Sequence, residues 1–208
     1  MTDRISRAHE LQQFDLQYAS KEMIVAGMDE VGRGPLAGDV VAACVVMPLI
    51  PLIAWIDDSK KLSENRREKV YEEIMNTALY VGIGRASPQE IDKINILQAT
   101  RKAMRMAAEN VHANIYLIDA VSGLGLNGTE IPIIKGDAQS YSIAAASIVA
   151  KVVRDREMRE LDNIYPQYGF ARNKGYGTAQ HIQALREYGP CPIHRRSFIG
   201  HFVYETNL

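Results

Sequence analysis

The apolar positions of the chain follow two periods, one helical and one extended, and they divide it into elements. Leu11, Phe14 and Tyr18 recur at helical spacing and predict a short amphipathic helix over residues 4–21. Two Val- and Ala-rich runs, about 23–29 and 40–47, read as strands, and the proline-bearing stretch 48–54 reads as a loop. Ser63, followed by Arg66 and Arg67, opens a helical pattern whose buried face carries Val70 and Ile74. Residues 79–86 form a third strand, with Gly82 and Gly84 inside it. Ser87-Pro88-Gln89-Glu90 combines a cap, a proline at the first helical position and an acid in the first turn. The helix it starts runs to about Asn110, with Ile91, Ile94, Leu97, Met104 and Ala108 as its apolar positions.

A fourth strand, 115–118, ends on Asp119, and a glycine-rich loop, 122–128, follows it. A short fifth strand, 131–134, runs directly into Lys135-Gly136-Asp137. Residues 140–161 are helical in pattern, with Ser147, Lys151 and Arg154 on one polar stripe. The end of the chain is loop-rich, with one more helix over about 178–188. Three early strands without a crossover predict an antiparallel meander, and later strands arriving after helices predict parallel pairing. The expected fold is α/β: a mixed five-stranded sheet flanked by helices, in one domain spanning 1–208. An N-terminal helix occupies 1–22, and a C-terminal helical extension begins at about residue 162.

Composition narrows the class without naming a partner. Hydrophobic residues make up 47% of the chain, enough for a core of this size. The net charge of −1 does not announce a nucleic-acid binder. Its distribution is uneven, however: residues 135–201 carry ten Lys/Arg against six Asp/Glu, and the rest carry fourteen against nineteen. Acids gathered in one part and bases in another can hold metals and phosphates side by side. Two cysteines, Cys44 and Cys191, make no disulfide framework and fit a reducing, cytoplasmic setting. The apolar run from Val40 to Ile56 is interrupted by Pro48 and Pro51, so it reads as a strand entering a loop and not as a membrane span.

The candidate chemistry is carboxylate. Asp29 and Glu30 sit where the first strand meets the glycine-flanked arginine of Gly32-Arg33-Gly34; Asp119 ends the fourth strand, and Asp137 follows the fifth. Each acid alone has an ordinary reading as a turn or cap residue. Three strand ends carrying acids at one edge of an α/β sheet, where ligands usually bind, favour a functional one. A dinucleotide fingerprint at Gly32, Gly34 and Gly38 is excluded by the strand that follows, since that motif must open a helix. The five histidines lack zinc spacing and no serine nucleophile elbow is present, so an all-oxygen donor set points to Mg²⁺ or Mn²⁺. In a regular strand Asp29 and Glu30 would point to opposite faces, so both serve one site only if the strand has ended or bulged there.

Six stretches in order resemble the bacterial ribonuclease HII family: Asp29 to Gly38, Asp58-Ser59-Lys60-Lys61-Leu62, Ile118-Asp119-Ala120, Lys135-Gly136-Asp137 with Ala144 to Asp155, Lys174 to Thr178, and His194 to Phe198. The resemblance implies an RNase H-like fold and an endonuclease that cleaves the RNA strand of RNA–DNA hybrids and incises DNA duplexes at single ribonucleotides. It implies that Asp29, Glu30, Asp119 and Asp137 bind the metal. By the same resemblance Gly32, Arg33 and Gly34 contact the ribonucleotide, Tyr176 packs on the adjoining sugar, and Lys60 with Ser147, Lys151, Arg154 and Arg196 lies along the substrate. A monomer is expected. Asp39 stands where the family usually has proline, and Cys191 where serine is common. Taken alone, Lys151 and Arg154 would be a solvated helix face, Tyr176 a loop tyrosine, and Arg195 and Arg196 surface charge.

Overall fold

The computed structural model describes residues 2–18, 22–57 and 59–203. Five strands form one sheet in the order β3-β2-β1-β4-β5. They are β1 (Val25–Val31), β2 (Val40–Val46), β3 (Tyr80–Ala86), β4 (Ile115–Asp119) and β5 (Thr129–Ile133). β1, β2 and β3 pair antiparallel, whereas β4 joins β1, and β5 joins β4, in parallel. This is the expected mixed sheet. Pro132, which has no amide to donate, lies on the edge strand β5, where the loss is tolerated.

Strand alternation sends β2 into two cores. Val41, Ala43 and Val45 pack with apolar residues of α1 (Thr2–Asp15), α2 (Glu64–Thr77) and α4 (Tyr141–Ile164). Val40, Ala42, Cys44 and Val46 pack with Ala26, Met28 and α3 (Pro88–Ala108) on the other face. The start of α4 lies directly on β1: a Cβ at Gly27 would stand 2.0 Å from the Ser142 carbonyl carbon. That contact brings the Ser147–Lys151 face of α4 to the end of β1.

Three expectations change. α1 ends at Asp15, and the predicted residues 19–21 lie outside the described residues. The Asp15 carboxylate turns away to accept the Ser142 amide at 2.9 Å. α3 is interrupted at Asn95 (φ 65, ψ 165), whose side chain accepts the Gln98 amide and caps the second half. Last, the C-terminal extension is α5 (Phe170–Asn173), α6 (Ala179–Tyr188) and α7 (Arg196–Val203), the last starting inside the predicted tail. Asp92 of α3 caps α7 by accepting the Arg196 and Ser197 amides, each at 2.9 Å. The extension packs around Tyr168, Phe170, Leu185 and Ile199 in a cluster that also takes in Leu36 and Ala37, so it rests on the loop that follows β1.

Candidate active site

The β1–β4 ladder stops at Met28–Ile118, while β1 continues beside β2 to Val31–Val41. Beyond Met28, β1 is therefore an open edge on the side where β4 diverges, and this split is where an α/β sheet offers a ligand crevice. A cleft of about 330 Å³ occupies it, lined by Asp29, Glu30, Val31, Ser59, Lys60, Asp119, Ser147, Lys151 and Tyr176. Asp29 and Glu30 both lie within the ladder, opposite Ala43 and Ala42. The strand has neither ended nor bulged there. The open edge lets side chains from both faces reach one cleft.

Each acid has its own protein partner. The buried Asp29 accepts the Glu30 amide at 2.7 Å and sits beside the Ser147 hydroxyl, which lies 2.9 Å from Ser59 Oγ. Arg33 donates to Glu30 Oε1 at 3.2 Å. Asp119 accepts the Gly136 amide at 2.7 Å. Asp137 does not line the cleft itself; Lys60, which does, reaches it at 3.1 Å. Among the described residues, no three His, Cys, Asp or Glu side chains converge closely enough to hold an ion as they stand.

The electrostatics favour a cation. Burial first, then the neighbouring Glu30, pushes the Asp29 carboxyl well above the usual carboxylate range. Burial also raises Glu30, against the lowering pull of Arg33, and raises Asp119, where the Gly136 amide opposes and Asp137 reinforces the shift. Glu30 Oε2 is buried without a hydrogen-bond partner among the described residues. A buried carboxylate oxygen left without a donor is costly. Acids that resist ionising side by side, with one such oxygen among them, fit a divalent cation with oxygen ligands.

The loop after β1 is fixed from below by two fully buried arginines. Arg195 donates to the carbonyls of Gly32 (2.5 Å), Arg33 (2.9 Å) and Gly38 (2.7 and 3.0 Å). Arg154 donates to those of Asp39 (2.9 Å), Lys174 (2.9 Å) and Ala37 (3.0 Å). Gly32 has φ +92, and a Cβ there would lie 2.3 Å from Arg154 Nε, so only glycine makes room for the guanidinium. With the Gly32 and Arg33 carbonyls turned to Arg195, the amides of Arg33 and Gly34 have no backbone acceptor among the described residues.

The model of the family described as Ribonuclease HII matches residues 26–201. This chain belongs to the ribonuclease HII family. Members are nuclease hydrolases, and this chain is one. The ribonuclease HII of Lachnoclostridium phytofermentans is 56% identical over 196 residues, which is 93% of this chain and 77% of that protein. The ribonuclease H2 of Pyrococcus horikoshii superposes with a TM-score of 0.72 at 28% identity, covering 84% of this chain and 93% of that one. The RNase HII of Archaeoglobus fulgidus, solved in complex with PCNA, gives 0.72 at 25% identity over 83% of this chain and 94% of that one.

Within this ribonuclease HII fold, Asp29, Glu30, Asp119, Lys60, Ser147, Lys151 and Tyr176 meet at the cleft, with Gly34 close by: a Cβ there would stand 3.8 Å from the Tyr176 ring. Asp58 lies outside the described residues. Arg154 and Arg196 do not line the cleft. Arg154 shares the polar stripe of α4 but is buried under the loop, where its donors meet carbonyls and not solvent. Arg196 is exposed at the start of α7; its buried neighbour Arg195 is the one tied to the Gly-Arg-Gly turn. Asp39 is partly buried, its carboxyl raised to about 6 by burial and by Glu157, against the pull of Arg85, Arg154 and Arg195. Cys191 is buried, with its amide and thiol against His194 Nδ1.

Proposed function

We propose that this protein is an endoribonuclease that hydrolyses the RNA strand of RNA–DNA hybrids and incises DNA duplexes 5′ of single ribonucleotides, leaving 3′-OH and 5′-phosphate ends by two-metal-ion catalysis. The observation that carries the reading is the split between β1 and β4. There Asp29, Glu30 and Asp119 share one cleft with Lys60 and Lys151, beside a Gly-Arg-Gly turn whose Gly32 and Arg33 carbonyls are held by Arg195. Asp29, Glu30, Asp119 and Asp137 are the residues that would hold Mg²⁺ or Mn²⁺; divalent cations in such sites lower the pKa of a bound water and stabilise the leaving oxygen.

The remaining work falls to the chain itself. Lys151 is tethered to Asp155 at 2.7 Å and presents its charge to the cleft, as Lys60 does, where the phosphates of the cleaved strand would lie. The amides of Arg33 and Gly34, free of backbone acceptors among the described residues, would read the 2′-OH, the group that distinguishes RNA from DNA. The exposed Tyr176 ring stands across from Gly34 and packs on the next sugar. Both cysteines are buried and unpaired, consistent with a cytoplasmic protein, and we expect a monomer. The test is incubation of the purified protein with two labelled duplexes, a continuous hybrid and a DNA duplex with one ribonucleotide, with and without Mg²⁺. Metal-dependent cutting of both supports the reading; no cutting of either refutes it.

A further inference from the structure

Two histidines outside the cleft form a continuous file behind Tyr176. His181, the third residue of α6, and His194, in the segment before α7, are buried, with their Nε2 atoms 3.0 Å apart. Each end of the file has a fixed polarity. The Cys191 amide donates to His194 Nδ1 at 3.0 Å, and an amide only donates, so that nitrogen carries no proton. His181 Nδ1 is 2.9 Å from the Tyr176 carbonyl, and a carbonyl only accepts, so that nitrogen carries one. A neutral imidazole holds one N–H. The His194 proton is then on Nε2, and His181 Nε2 is bare. The middle contact therefore has one donor and one acceptor, and the two ends dictate these tautomers independently.

The surroundings hold the rings in that state. Tyr168 stands against His194 with centroids 4.8 Å apart, and Phe170 against His181 at 5.4 Å. Burial and the second imidazole push His194 down to about 4. The Tyr176 carbonyl also takes the Thr178 amide at 2.8 Å, and the adjacent Gly175 carbonyl takes the Leu36 amide at 2.8 Å. The next residue after His194 is Arg195, which holds Gly32 and Arg33. Consecutive side chains of one segment thus reach both walls of the cleft, one the Gly-Arg-Gly turn and the other, through His181, Tyr176.

We propose that the His194–His181 file is the positioning element for Tyr176, setting its ring against the Gly32-Arg33-Gly34 turn and thereby the preference for a lone ribonucleotide over a continuous hybrid. This rests on the reading of Tyr176 as a sugar-packing residue. His181→Phe keeps an aromatic ring beside Tyr168 and Phe170 but ends the file. Cleavage at a single ribonucleotide should fall roughly tenfold relative to cleavage of a continuous hybrid, the scale of one lost buried hydrogen bond. His181→Asn restores a donor to the Tyr176 carbonyl and should recover most of that ratio. Should the Phe variant not fold, His194→Asn, whose shorter amide can still accept from Cys191 but falls short of His181, carries the same comparison.

Two-bond ¹H–¹⁵N correlation spectra of the full-length wild-type protein at pH 7 read the file without any substrate. They should show His181 protonated at Nδ1 and His194 at Nε2. The opposite tautomer on either ring, or a charged ring, overturns the proposal. So does an equal loss on both substrates, which would mark a merely structural role, or an unchanged ratio in a folded variant. A wild-type protein that cuts neither duplex refutes the site reading instead, and the tautomers still decide whether the file exists.

Discussion

Arg195→Met removes the group that we hold responsible for the shape of the ribonucleotide-reading turn. Its guanidinium satisfies three carbonyls, those of Gly32, Arg33 and Gly38. Leaving a buried acceptor without a donor costs about 1–3 kcal/mol, so the gross loss is about 3–9 kcal/mol. Part is returned, because burial and the neighbouring Arg154 already hold the Arg195 cation down to about 9, and the variant no longer bears that cost. A net destabilisation of about 2–4 kcal/mol remains, or about 4–16 °C in melting temperature for a chain of this size. Arg196→Met, one residue along and exposed, should change stability by less than about 0.5 kcal/mol. Thermal melts of both variants test the contrast. Cleavage kinetics should show Arg195→Met losing about a hundredfold at single ribonucleotides, the scale of an ångström-sized misplacement. A folded Arg195→Met protein that melts within 1 °C of wild type and cuts normally would refute the reasoning.

Other outcomes follow from the same structure. Asp29→Asn, nearly isosteric, should abolish cleavage while duplex binding, read by gel shift, stays or tightens; wild-type turnover by the folded variant would remove Asp29 from the metal set. Millimolar Mg²⁺ should raise the melting temperature, because the crowded acids resist ionising without it; saturation at a hundred times Kd is worth about 2.7 kcal/mol. An unchanged melt across a Mg²⁺ titration would count against a clustered site. Asp15 is raised to about 6 by burial, so its folded form keeps a proton that the unfolded chain has lost between pH 3.8 and 6. Stability from this group is therefore full below pH 3.8, falls as pH climbs through 6, and is lower by about 3 kcal/mol above it. Urea unfolding of wild type and Asp15→Asn at pH 4.5 and 7.5 should show that difference closing in favour of the variant at the higher pH.

Much of this architecture is legible in the chain because the sheet depends on local patterns. Continuous Val/Ala runs mark buried strands, and the order of strands and helices separates the antiparallel meander from the parallel pair. The acids are legible because each follows an apolar run at or near its end. What escapes is non-local. Glu30 reaches the cleft because a neighbouring strand departs, which its own alternation cannot announce. Arg154 and Arg195 look like surface charge, since all but one of the carbonyls that justify their burial lie more than a hundred positions away. His181 and His194 have no ligand spacing because their partners are a backbone carbonyl and an amide. The break in α3 is hidden because the apolar period of that helix continues through Asn95, whose side chain caps as easily as it extends.

The central claim is that the acids serve metal-activated water and that the 2′-OH is read, not used as the nucleophile. The product ends decide it. Mass spectrometry of the two fragments from a duplex carrying one ribonucleotide, cut in Mg²⁺, should show a 3′-OH on the upstream piece and a 5′-phosphate, with the ribonucleotide attached, on the downstream piece. A 2′,3′-cyclic phosphate would mean that the 2′-OH had attacked its own phosphate, and would contradict the account.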